Sequence, residues 1–349
     1  MALGTVPGAA GGAQIVALGH YLPESVVSTE EVAGRLGIDP EWVVARTGIR
    51  ERRQAAEDET VVDLATAAAA HALDGLAADP RFPGAVSLID TVIVATSTAE
   101  SSMPSVAARV AANAGLGHPA AFDVNAACAG FCYGLATADG LVRSGTSGGV
   151  LVVGADKATA WLDWHDRDTA ILFGDGAGAA VVLPHERRAI GPVVWGSVGE
   201  ESHLIAIGAE DRVLRQQGRT VYRWATGLGD TIAEACDRAG VTPDKLAAFV
   251  PHQANLRIIN ALARHLGFEG EAVATDVVGS GNTIAATIPL ALSRMRSRPG
   301  LAEGGDVLLF GYGAGLSYAG QVVTLPPLPT ATPVGGAAGT ARGEHLGAR

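Results

Sequence analysis

The segment Asp90 to Thr96, DTVIVAT, is an uninterrupted apolar run rich in β-branched residues, which predicts a buried β-strand. The run Gly149 to Gly154, GVLVVG, predicts a second buried strand, and Cys128 lies between the two at the head of an alanine-rich, helix-forming stretch. Buried strands that alternate with helices are typical of a mostly parallel sheet covered on both faces. The segment and its surroundings therefore indicate an α/β fold.

The second half of the chain repeats this order of elements. The run LAAFVP from Leu246 to Pro251 is followed by Asn282, which precedes another alanine-rich stretch, and then by DVLLFG from Asp306 to Gly311. This repetition of strand, loop, small-residue helix and strand indicates a duplicated α/β unit. A site between the two halves would draw residues from both.

The chain of 349 residues is longer than a usual single domain and has ample material for buried cores. Its two ends lack periodicity, which predicts disorder there. We expect four parts: a disordered N-terminal tail at 1–13, an N-terminal half at 14–186, a C-terminal half at 187–326 and a disordered C-terminal tail at 327–349.

Composition and charge exclude several classes of function. Apolar residues make up 48% of the chain and charged residues 17%, as in a compact globular protein. A formal net charge of -11 is unfavourable for broad nucleic-acid binding. The N-terminus has no basic region followed by an apolar core, and no run of about 18 uncharged apolar residues occurs. The three cysteines are an odd and sparse set for a disulfide scaffold. We expect a soluble, cytoplasmic protein without nucleic-acid or membrane partners.

Cys128 lies in the sequence Ala-Ala-Cys-Ala-Gly-Phe, where small neighbours leave the sulfur uncrowded. Asp123 and Asn125 precede the helical stretch as candidate caps. The dipole and the free N–H groups at a helix start lower the pKa of a thiol and can hold an oxyanion. Cys128 is thus a candidate nucleophile, although a lone cysteine is also often a small buried core residue.

Two polar residues of the second half are further candidates. His252, in Val-Pro-His-Gln-Ala-Asn, ends an apolar strand, and α/β sheets bind ligands at the carboxyl ends of their strands. Asn282 lies in Gly-Ser-Gly-Asn-Thr ahead of a helix. Taken singly, the histidine also fits a core or surface position, and the asparagine fits a turn or a helix cap.

Two glycine-rich segments, Gly174 to Gly178 and Gly311 to Gly315, raise the alternative of a phosphate-binding loop. Such a loop needs a following helix. Strand-like residues follow both segments, so we interpret them as tight turns between strands. The second segment can instead bring its backbone close to a substrate and offer an N–H group. Cys128 and Cys132 share a helix face, but no neighbouring cysteine or histidine completes a zinc-type set, so no metal is expected.

The densest basic cluster is RTGIRERR, from Arg46 to Arg53, with Trp42 four residues before it. A solvated protein face is one explanation of this cluster, and phosphate binding is the other. An aromatic plane beside a guanidinium suits an adenine nucleotide such as coenzyme A.

Together these segments resemble 3-oxoacyl-acyl carrier protein synthase III, the initiating ketosynthase of the thiolase-like fold. The resemblance extends from Ile15 to Pro326. It is carried by WVVARTGIRERR (Trp42 to Arg53), AFDVNAACAGF (Ala121 to Phe131), FGDGAGAAV (Phe173 to Val181), VPHQANLRII (Val250 to Ile259) and GNTIAATIPLAL (Gly281 to Leu292).

The resemblance implies a duplicated αβαβα layered fold of thiolase type with mostly parallel central sheets. It makes Cys128 the nucleophile and His252 and Asn282 its catalytic partners. It also makes the backbone N–H groups of Cys128 and Ala314 an oxyanion hole. No cofactor is implied, because coenzyme A thioesters are substrates of the family.

The resemblance also assigns binding roles. Coenzyme A and its pantetheine arm would contact Trp42, Arg46, Arg167, Ala254, Asn255 and Arg257. An acidic carrier protein would contact a local basic patch of Arg223, Arg257 and Arg264. Met103 would close the acyl pocket of the neighbouring subunit in a homodimer, or else simply fill the interface.

Three features depart from the family pattern. Gly-Ala-Gly, centred on Ala314, replaces Gly-Gly-Gly, and Ile284 follows Thr283 where the asparagine loop commonly reads Asn-Thr-Ser. The stretch Ser202 to Gly218 is shorter and more divergent, which leaves the acyl and pantetheine tunnel undefined.

The implied activity transfers an acyl group from acyl-CoA to Cys128 and condenses it with malonyl-acyl carrier protein. The products would be 3-oxoacyl-carrier protein, coenzyme A and CO2, in fatty acid or polyketide biosynthesis. One alternative is an acyltransferase that passes the acyl group to an alcohol or amine; retention of His252 and Asn282 favours condensation. Another is a catalytically silent ketosynthase-like partner, against which Cys128 argues. Hydroxymethylglutaryl-CoA synthases and plant-type polyketide synthases share the triad, but VPHQANLRII and WVVARTGIRERR fit the bacterial initiating enzyme better.

Overall fold

The computed structural model describes residues 11–329. In that range the chain forms thirteen β-strands and ten α-helices. The strands are β1 (Gly12–Tyr21), β2 (Ser25–Ser28), β3 (Glu51–Gln54), β4 (Thr91–Ala95), β5 (Ala120–Val124), β6 (Val150–Lys157), β7 (Asp175–His185), β8 (Val194–Ser197), β9 (Ile205–Ile207), β10 (Leu214–Gln216), β11 (Ala248–Pro251), β12 (Gly305–Gly313) and β13 (Ser317–Leu325). The helices are α1 (Thr29–Leu36), α2 (Pro40–Thr47), α3 (Val61–Ala78), α4 (Val106–Asn113), α5 (Gly130–Arg143), α6 (Gly218–Thr226), α7 (Gly229–Ala239), α8 (Leu256–Leu266), α9 (Val277–Ser280) and α10 (Thr287–Met295).

Two sheets carry the fold, one from each half of the chain. The first has the strand order β1-β7-β6-β4-β5, and the second has the order β8-β13-β12-β11. In the first sheet only β7 runs against the other strands, and in the second only β13 does. The prediction of mostly parallel central sheets is confirmed in this sense, although every pairing made by β7 and β13 is antiparallel.

The two sheets match strand for strand, as the predicted duplication requires. The segments DTVIVAT and GVLVVG form β4 and β6, and their counterparts in the second half form β11 and β12. In each sheet the last strand of the half, β7 or β13, lies next to β6 or β12. The counterpart of β5 is reduced to a parallel bridge between Phe249 and Val273.

The helices form three layers around the sheets. Helices α3 and α4 cover the outer face of the first sheet, α5 and α10 lie between the two sheets, and α7 and α8 cover the outer side of the second. Side chains of the second sheet alternate accordingly: Val250 and Leu309 point between the sheets, whereas Phe249 and Phe310 point to the outer layer. This is the expected αβαβα layering.

Helix α3 is the core helix of the first half. Thr60 and Asp63 form a capping box at its start. By length and composition alone the helix is apolar enough to cross a membrane, with a mean hydropathy of 1.3. Half of its residues are buried inside the protein, where the helix packs against β1, β6 and β7. The apolar face of α3 is therefore used in packing.

The glycine-rich segment Gly174 to Gly178 is not a turn, contrary to the prediction. Gly176 and Gly178 lie within β7. A Cβ on Gly178 would stand 2.4 Å from the backbone nitrogen of Leu290, so the missing side chain lets α10 lie directly on the sheet. The second segment does contain the predicted turn, at Gly315 between β12 and β13.

The predicted tails need a correction at both ends. Strand β1 already includes residues 12 and 13, because its ladder with β7 extends to them and Ala13 is buried. At the other end, the carbonyl of Pro327 accepts a hydrogen bond from Arg81 Nη1 (2.7 Å). The remainder of the tails, residues 1–10 and 330–349, lies outside the described residues. The division at residue 186 falls in the connection between β7 and β8.

Candidate active site

Cys128, His252 and Asn282 line one cavity of about 350 Å³, which we call the inner cavity. Gly313 and Ala314 close it at the end of β12. Cys128 follows β5 and His252 follows β11, so both lie at the carboxyl ends of strands, where α/β sheets place their ligands. The structure thus brings together the three side chains that the sequence singled out from different halves.

Cys128 lies in a short 3-10 turn directly before α5. The preceding residue, Ala127, has a left-handed backbone (φ 46°), a conformation that clusters at functional sites when it occurs outside glycine. The two residues predicted to cap the helix of the nucleophile, Asp123 and Asn125, make other contacts. Asp123 accepts a hydrogen bond from Val106 N (2.7 Å) and so caps α4, whereas Asn125 Oδ1 accepts a long bond from Ala127 N (3.4 Å). Asp123 is not a cap of the nucleophile's helix.

Burial raises the pKa of the Cys128 thiol to about 12, and the nearby carboxylate of Asp156 adds to the shift. The backbone N–H groups of Cys128 and Ala314 lie close to the sulfur and partly oppose the shift. The expectation of a lowered thiol pKa is therefore wrong, because desolvation outweighs the helix start. The same two N–H groups lie beside the nucleophile and are therefore the candidate donors of an oxyanion hole, whose target is the carbonyl oxygen of the thioester.

Strand β12 passes directly over the nucleophile. A Cβ on Gly313 would stand 2.8 Å from the sulfur of Cys128, and a Cβ on Gly311 would stand 2.7 Å from the Cα of Ala129. Only glycine permits this approach. Ala314 does not have a positive φ, and its N–H lies close enough to the sulfur to favour a lower thiol pKa. The alanine in Gly-Ala-Gly therefore still provides the backbone N–H donor.

His252 is held at the end of β11 by its backbone N–H, which donates to Phe310 O (2.8 Å). Its Nδ1 lies 2.7 Å from Thr287 Oγ1, and its ring stands edge-on to Tyr312 with centroids 5.2 Å apart. Burial lowers the pKa of His252 to about 3. The imidazole is therefore neutral at ordinary pH, with one N–H donor and one acceptor nitrogen.

Asn282 is fixed by its backbone, whose N–H donates to Leu172 O (2.9 Å) and whose carbonyl accepts from Gly174 N (3.1 Å). Its Oδ1 accepts a hydrogen bond from Ile284 N (2.9 Å), which orients the side chain. Within residues 11–329 its Nδ2 has no hydrogen-bond partner, so this donor is available to the cavity. Ile284 has a φ of 52°, a marked outlier for a β-branched residue.

Sequence reasoning missed Asp156, a buried carboxylate near the end of β6. Its Oδ1 accepts hydrogen bonds from Ser97 N (2.8 Å) and Thr98 Oγ1 (2.9 Å), and its Oδ2 accepts from Ala285 N (2.9 Å). Asp156 thus joins the loop after β4 to the turn that follows Asn282. Burial raises its pKa to about 7. Its one signal in the sequence is an acidic residue at the end of an apolar strand.

A second, larger cavity of about 930 Å³, the outer cavity, shares part of its wall with the inner one. All the residues predicted to bind coenzyme A line it: Trp42, Arg46, Arg167, Ala254, Asn255 and Arg257. Arg219 and Arg223 of α6 line it as well, and Arg219 was not predicted. The charged residues of the wall are therefore five arginines and one acidic residue, Asp168, so its net charge is positive.

Guanidinium groups lie against aromatic rings in the outer cavity. The guanidinium carbons of Arg46 and Arg167 lie 5.0 Å and 6.0 Å from the ring centroid of Trp42. That of Arg257 lies 5.3 Å from the ring centroid of Tyr222. This is the combination of planar and cationic groups that suits an adenine nucleotide.

Asn255 has a structural role that the sequence did not suggest. Its Oδ1 accepts a hydrogen bond from Arg257 N (2.9 Å) and caps α8, while its Nδ2 donates to Arg46 O (3.1 Å). Asn255 therefore connects α2, which carries Arg46, with the start of α8, which carries Arg257.

The basic cluster Arg46 to Arg53 is not one patch. Arg46 lines the outer cavity and Arg50 is exposed, but Arg52 is fully buried and donates to Ile171 O (2.8 Å). Burial lowers the pKa of Arg52 to about 10. Neither a solvated face nor phosphate binding accounts for the whole cluster, because β3 turns one arginine into the interior.

The predicted carrier-protein residues lie on two adjacent helices. Arg223 is in the last turn of α6, and Arg257 and Arg264 lie about two turns apart on one face of α8. Arg264 is exposed and is not part of the wall of the outer cavity.

The divergent stretch Ser202 to Gly218 forms a small antiparallel sheet of β9 and β10. Ile205, Ile207 and Leu214 from these strands line the inner cavity. The stretch therefore supplies an apolar wall next to the nucleophile. Met103, by contrast, lines neither cavity and is 83% exposed.

Known proteins are similar to this chain in sequence and in structure. Residues 122–199 match the family described as 3-Oxoacyl-[acyl-carrier-protein (ACP)] synthase III, and residues 236–325 match its C-terminal part. The chain is 50% identical over 319 residues to Beta-ketoacyl-[acyl-carrier-protein] synthase III 4 of Streptomyces coelicolor, which covers 90% of this chain and 99% of that protein. The same identity and coverage hold for synthase III 2 of Streptomyces avermitilis.

Solved structures agree with the sequence comparison. The priming beta-ketosynthase of the R1128 polyketide biosynthetic pathway matches with a TM-score of 0.88 and 39% identity, covering 94% of this chain and 100% of that one. The 3-oxoacyl-(acyl carrier protein) synthase III of Pseudomonas aeruginosa PAO1 matches with a TM-score of 0.84 and 37% identity, covering 91% and 99%. The predicted thiolase-like fold and acyltransferase class are confirmed. The chain belongs to the 3-oxoacyl-[acyl-carrier-protein] synthase III family, the initiating ketosynthases of fatty acid and polyketide synthesis.

Proposed function

We propose that this ketosynthase loads an acyl group from acyl-CoA onto Cys128 and condenses it with malonyl-acyl carrier protein, using His252 and Asn282. The observation that carries the proposal is that the three side chains line one cavity, with the backbone of Ala314 in the same wall beside the sulfur. No cofactor takes part in this chemistry.

In the first half-reaction the sulfur of Cys128 attacks the thioester carbonyl. Because burial holds the thiol pKa near 12, the proton is lost as the carbon–sulfur bond forms and leaves with the sulfur of coenzyme A. The N–H groups of Cys128 and Ala314 stabilise the negative charge on the carbonyl oxygen. The products are acyl-cysteine and free coenzyme A.

In the second half-reaction the malonyl group loses CO2, and its electron pair forms an enolate. The enolate oxygen needs two donors, which are His252 Nε2–H and the Nδ2 amide of Asn282. A neutral imidazole is sufficient for this role, in keeping with the lowered pKa of His252. The enolate carbon then attacks the acyl-cysteine and forms the new carbon–carbon bond, and the sulfur of Cys128 leaves and takes up one proton from solvent.

We propose that the outer cavity holds the nucleotide end of coenzyme A. Arg46 and Arg257 contact phosphates there, as do the other cavity arginines, and Trp42 stacks on the adenine. The basic patch of Arg223, Arg257 and Arg264 receives the acidic carrier protein, because a locally positive surface can bind such a partner despite the net charge of -11.

Arg46→Ala and Arg257→Ala are expected to raise the KM for acyl-CoA more than they lower kcat, because phosphate contacts stabilise ground and transition states alike. The effect should weaken as salt is raised. Steady-state kinetics at two ionic strengths check this. The exposed Arg50, outside the cavity wall, supplies the control variant Arg50→Ala. A loss confined to kcat and insensitive to salt would give the two arginines a structural role instead.

We propose a homodimer formed through the edge of the first sheet. Strand β5 has a neighbour on one side only among residues 11–329, and its Phe122 is 37% exposed. A free, partly apolar edge strand pairs readily with a second strand. Met103 is exposed in the single chain, and in the dimer it would reach the acyl pocket of the partner.

Met103→Gly is expected to move the preferred acyl chain to greater length, and Met103→Phe to shorter length, because the side chain limits the depth of the partner's pocket. A flexible methionine favours short or medium starters, straight or branched, over acetyl alone. The measurement is the rate of Cys128 acylation across acyl-CoA chain lengths, with dimerisation followed by light scattering. An unchanged profile in variants that remain dimeric would place the end of the pocket elsewhere.

The proposed function is tested by a survey of acyl-CoA donors with malonyl-acyl carrier protein, read as the rate of 3-oxoacyl-carrier protein formation. We expect acyl-CoA donors of one narrow length class to give product. Transfer to alcohols or amines without CO2 release would contradict the proposal. A cytoplasmic location is proposed with it, since all three cysteines are free thiols.

A further inference from the structure

The neutral ring of His252 carries one proton, and its position decides what the ring can do. The role proposed above requires Nε2–H, since Nε2 is the nitrogen left for the cavity once Nδ1 faces Thr287. The opposite tautomer would present a bare lone pair to the enolate oxygen and repel it. Whatever bonds to Nδ1 therefore controls the second half-reaction.

Thr287 is the residue bonded to Nδ1. It is buried at the first position of α10, and its Oγ1 lies 2.7 Å from Nδ1 of His252 and 3.0 Å from the carbonyl of Ile284. The hydroxyl has one proton and these two acceptors compete for it. A proton directed to Ile284 O would force the proton of His252 onto Nδ1, whereas a proton directed to Nδ1 would leave His252 as Nε2–H.

The surroundings favour the second arrangement. The carbonyl of Ile284 already accepts the backbone N–H of Thr287, so it does not need the hydroxyl. Nδ1 has no other hydrogen-bond partner within residues 11–329, and a buried ring nitrogen without a partner costs free energy. The contact to Nδ1 is also the shorter of the two.

We propose that Thr287 is a positioning residue whose hydroxyl donates to Nδ1 of His252 and holds the ring in the Nε2–H tautomer. The inference rests on the proposed role of His252 but concerns a different residue and a different observable. The proposed role gives a reason for the hydroxyl at the first position of α10. Helix capping does not explain this hydroxyl, because no side chain caps the start of α10.

The direct test is 15N NMR of histidine-labelled enzyme, with the His252 signals assigned by their absence in His252→Ala. We expect the Nε2–H tautomer in the wild type and in Thr287→Ser, which keeps the hydroxyl. A wild-type ring protonated on Nδ1 would overturn the proposal, whatever the activity of the enzyme.

The kinetic test separates the two half-reactions. Thr287→Val, which is nearly isosteric, should load Cys128 at close to the normal rate but lose about tenfold or more in decarboxylation of malonyl-acyl carrier protein, with recovery in Thr287→Ser. Thr91→Val removes a buried hydroxyl of β4 that bonds to Asp90, and it should leave both rates unchanged. Equal loss of both half-reactions in Thr287→Val, or no loss, would contradict the inference. If His252→Ala itself decarboxylates normally, the proposed function fails, while the tautomer measurement still decides the role of Thr287.

Discussion

Cys128→Ser is expected to abolish acyl loading. A serine hydroxyl is a far weaker nucleophile than a thiol, and the buried site gives it no adjacent base to compensate, since His252 bonds to Thr287 through Nδ1 and is not held as a general base. The loss should exceed about a thousandfold, because loss of a covalent nucleophile costs more than loss of one hydrogen bond. Intact-mass measurement after incubation with acyl-CoA detects the adduct.

The matched control for this prediction is Cys132→Ala. Cys132 is buried in the first turn of α5, four residues after Cys128, and burial raises its thiol pKa to about 12 as it does for Cys128. Cys132 does not line the inner cavity, so its variant should load normally. An acyl adduct on Cys128→Ser, or one mapped to Cys132, would refute the nucleophile assignment.

His252→Ala and Asn282→Ala are expected to keep measurable acylation of Cys128 but to lose decarboxylation of the malonyl group. Each variant removes one donor to the enolate, and loss of one oxyanion donor costs about 2.7 to 4 kcal/mol, roughly a hundred- to thousandfold in rate. Asn282→Asp is a useful companion, because it keeps the Oδ1 acceptor for Ile284 N while removing the amide donor. Release of CO2 from labelled malonyl-acyl carrier protein measures the step.

The pH dependence of decarboxylation follows from the same pKa shifts. Because burial lowers the pKa of His252 to about 3, the ring stays neutral and contributes no inflection near the ordinary histidine pKa of about 6.5. An inflection near pH 7 would belong to Asp156, whose pKa is raised by burial to about 7, and should be absent in Asp156→Asn. Normal condensation in both alanine variants would contradict the donor roles. Lost acylation in His252→Ala would instead mean that the ring also activates the thiol.

Much of the fold could be predicted from local patterns. DTVIVAT and LAAFVP are buried on both faces, so their continuous apolar character indicated strands without any knowledge of partners. Their repetition with GVLVVG and DVLLFG predicted two matching sheets. The three candidate catalytic residues stood at the ends of these repeated elements, which is why the sequence could place them in one cavity.

What the sequence missed depends on contacts between distant segments. Burial and the nearby Asp156 raise the thiol pKa of Cys128, and neither can be recognised from the residues next to it in the sequence. The helix start, considered alone, therefore predicted a lowered pKa. Glycine is required at position 178 because Leu290, from the other half of the chain, approaches it closely. The local sequence does not show this contact and so predicted a turn. The local sequence places Arg52 in a basic cluster, but strand β3 directs its side chain into the interior, where it donates to Ile171 O.

The proposed chemistry depends on Cys128 carrying the acyl group into a decarboxylative condensation. The most direct measurement isolates the acyl-enzyme, free of acyl-CoA, and mixes it with malonyl-acyl carrier protein in a single turnover. Each acyl-cysteine is expected to yield one CO2 and one 3-oxoacyl-carrier protein, with Cys128 returned to its free thiol. Discharge of the acyl group while the malonyl group stays intact would instead mean simple acyl transfer and would refute the condensation.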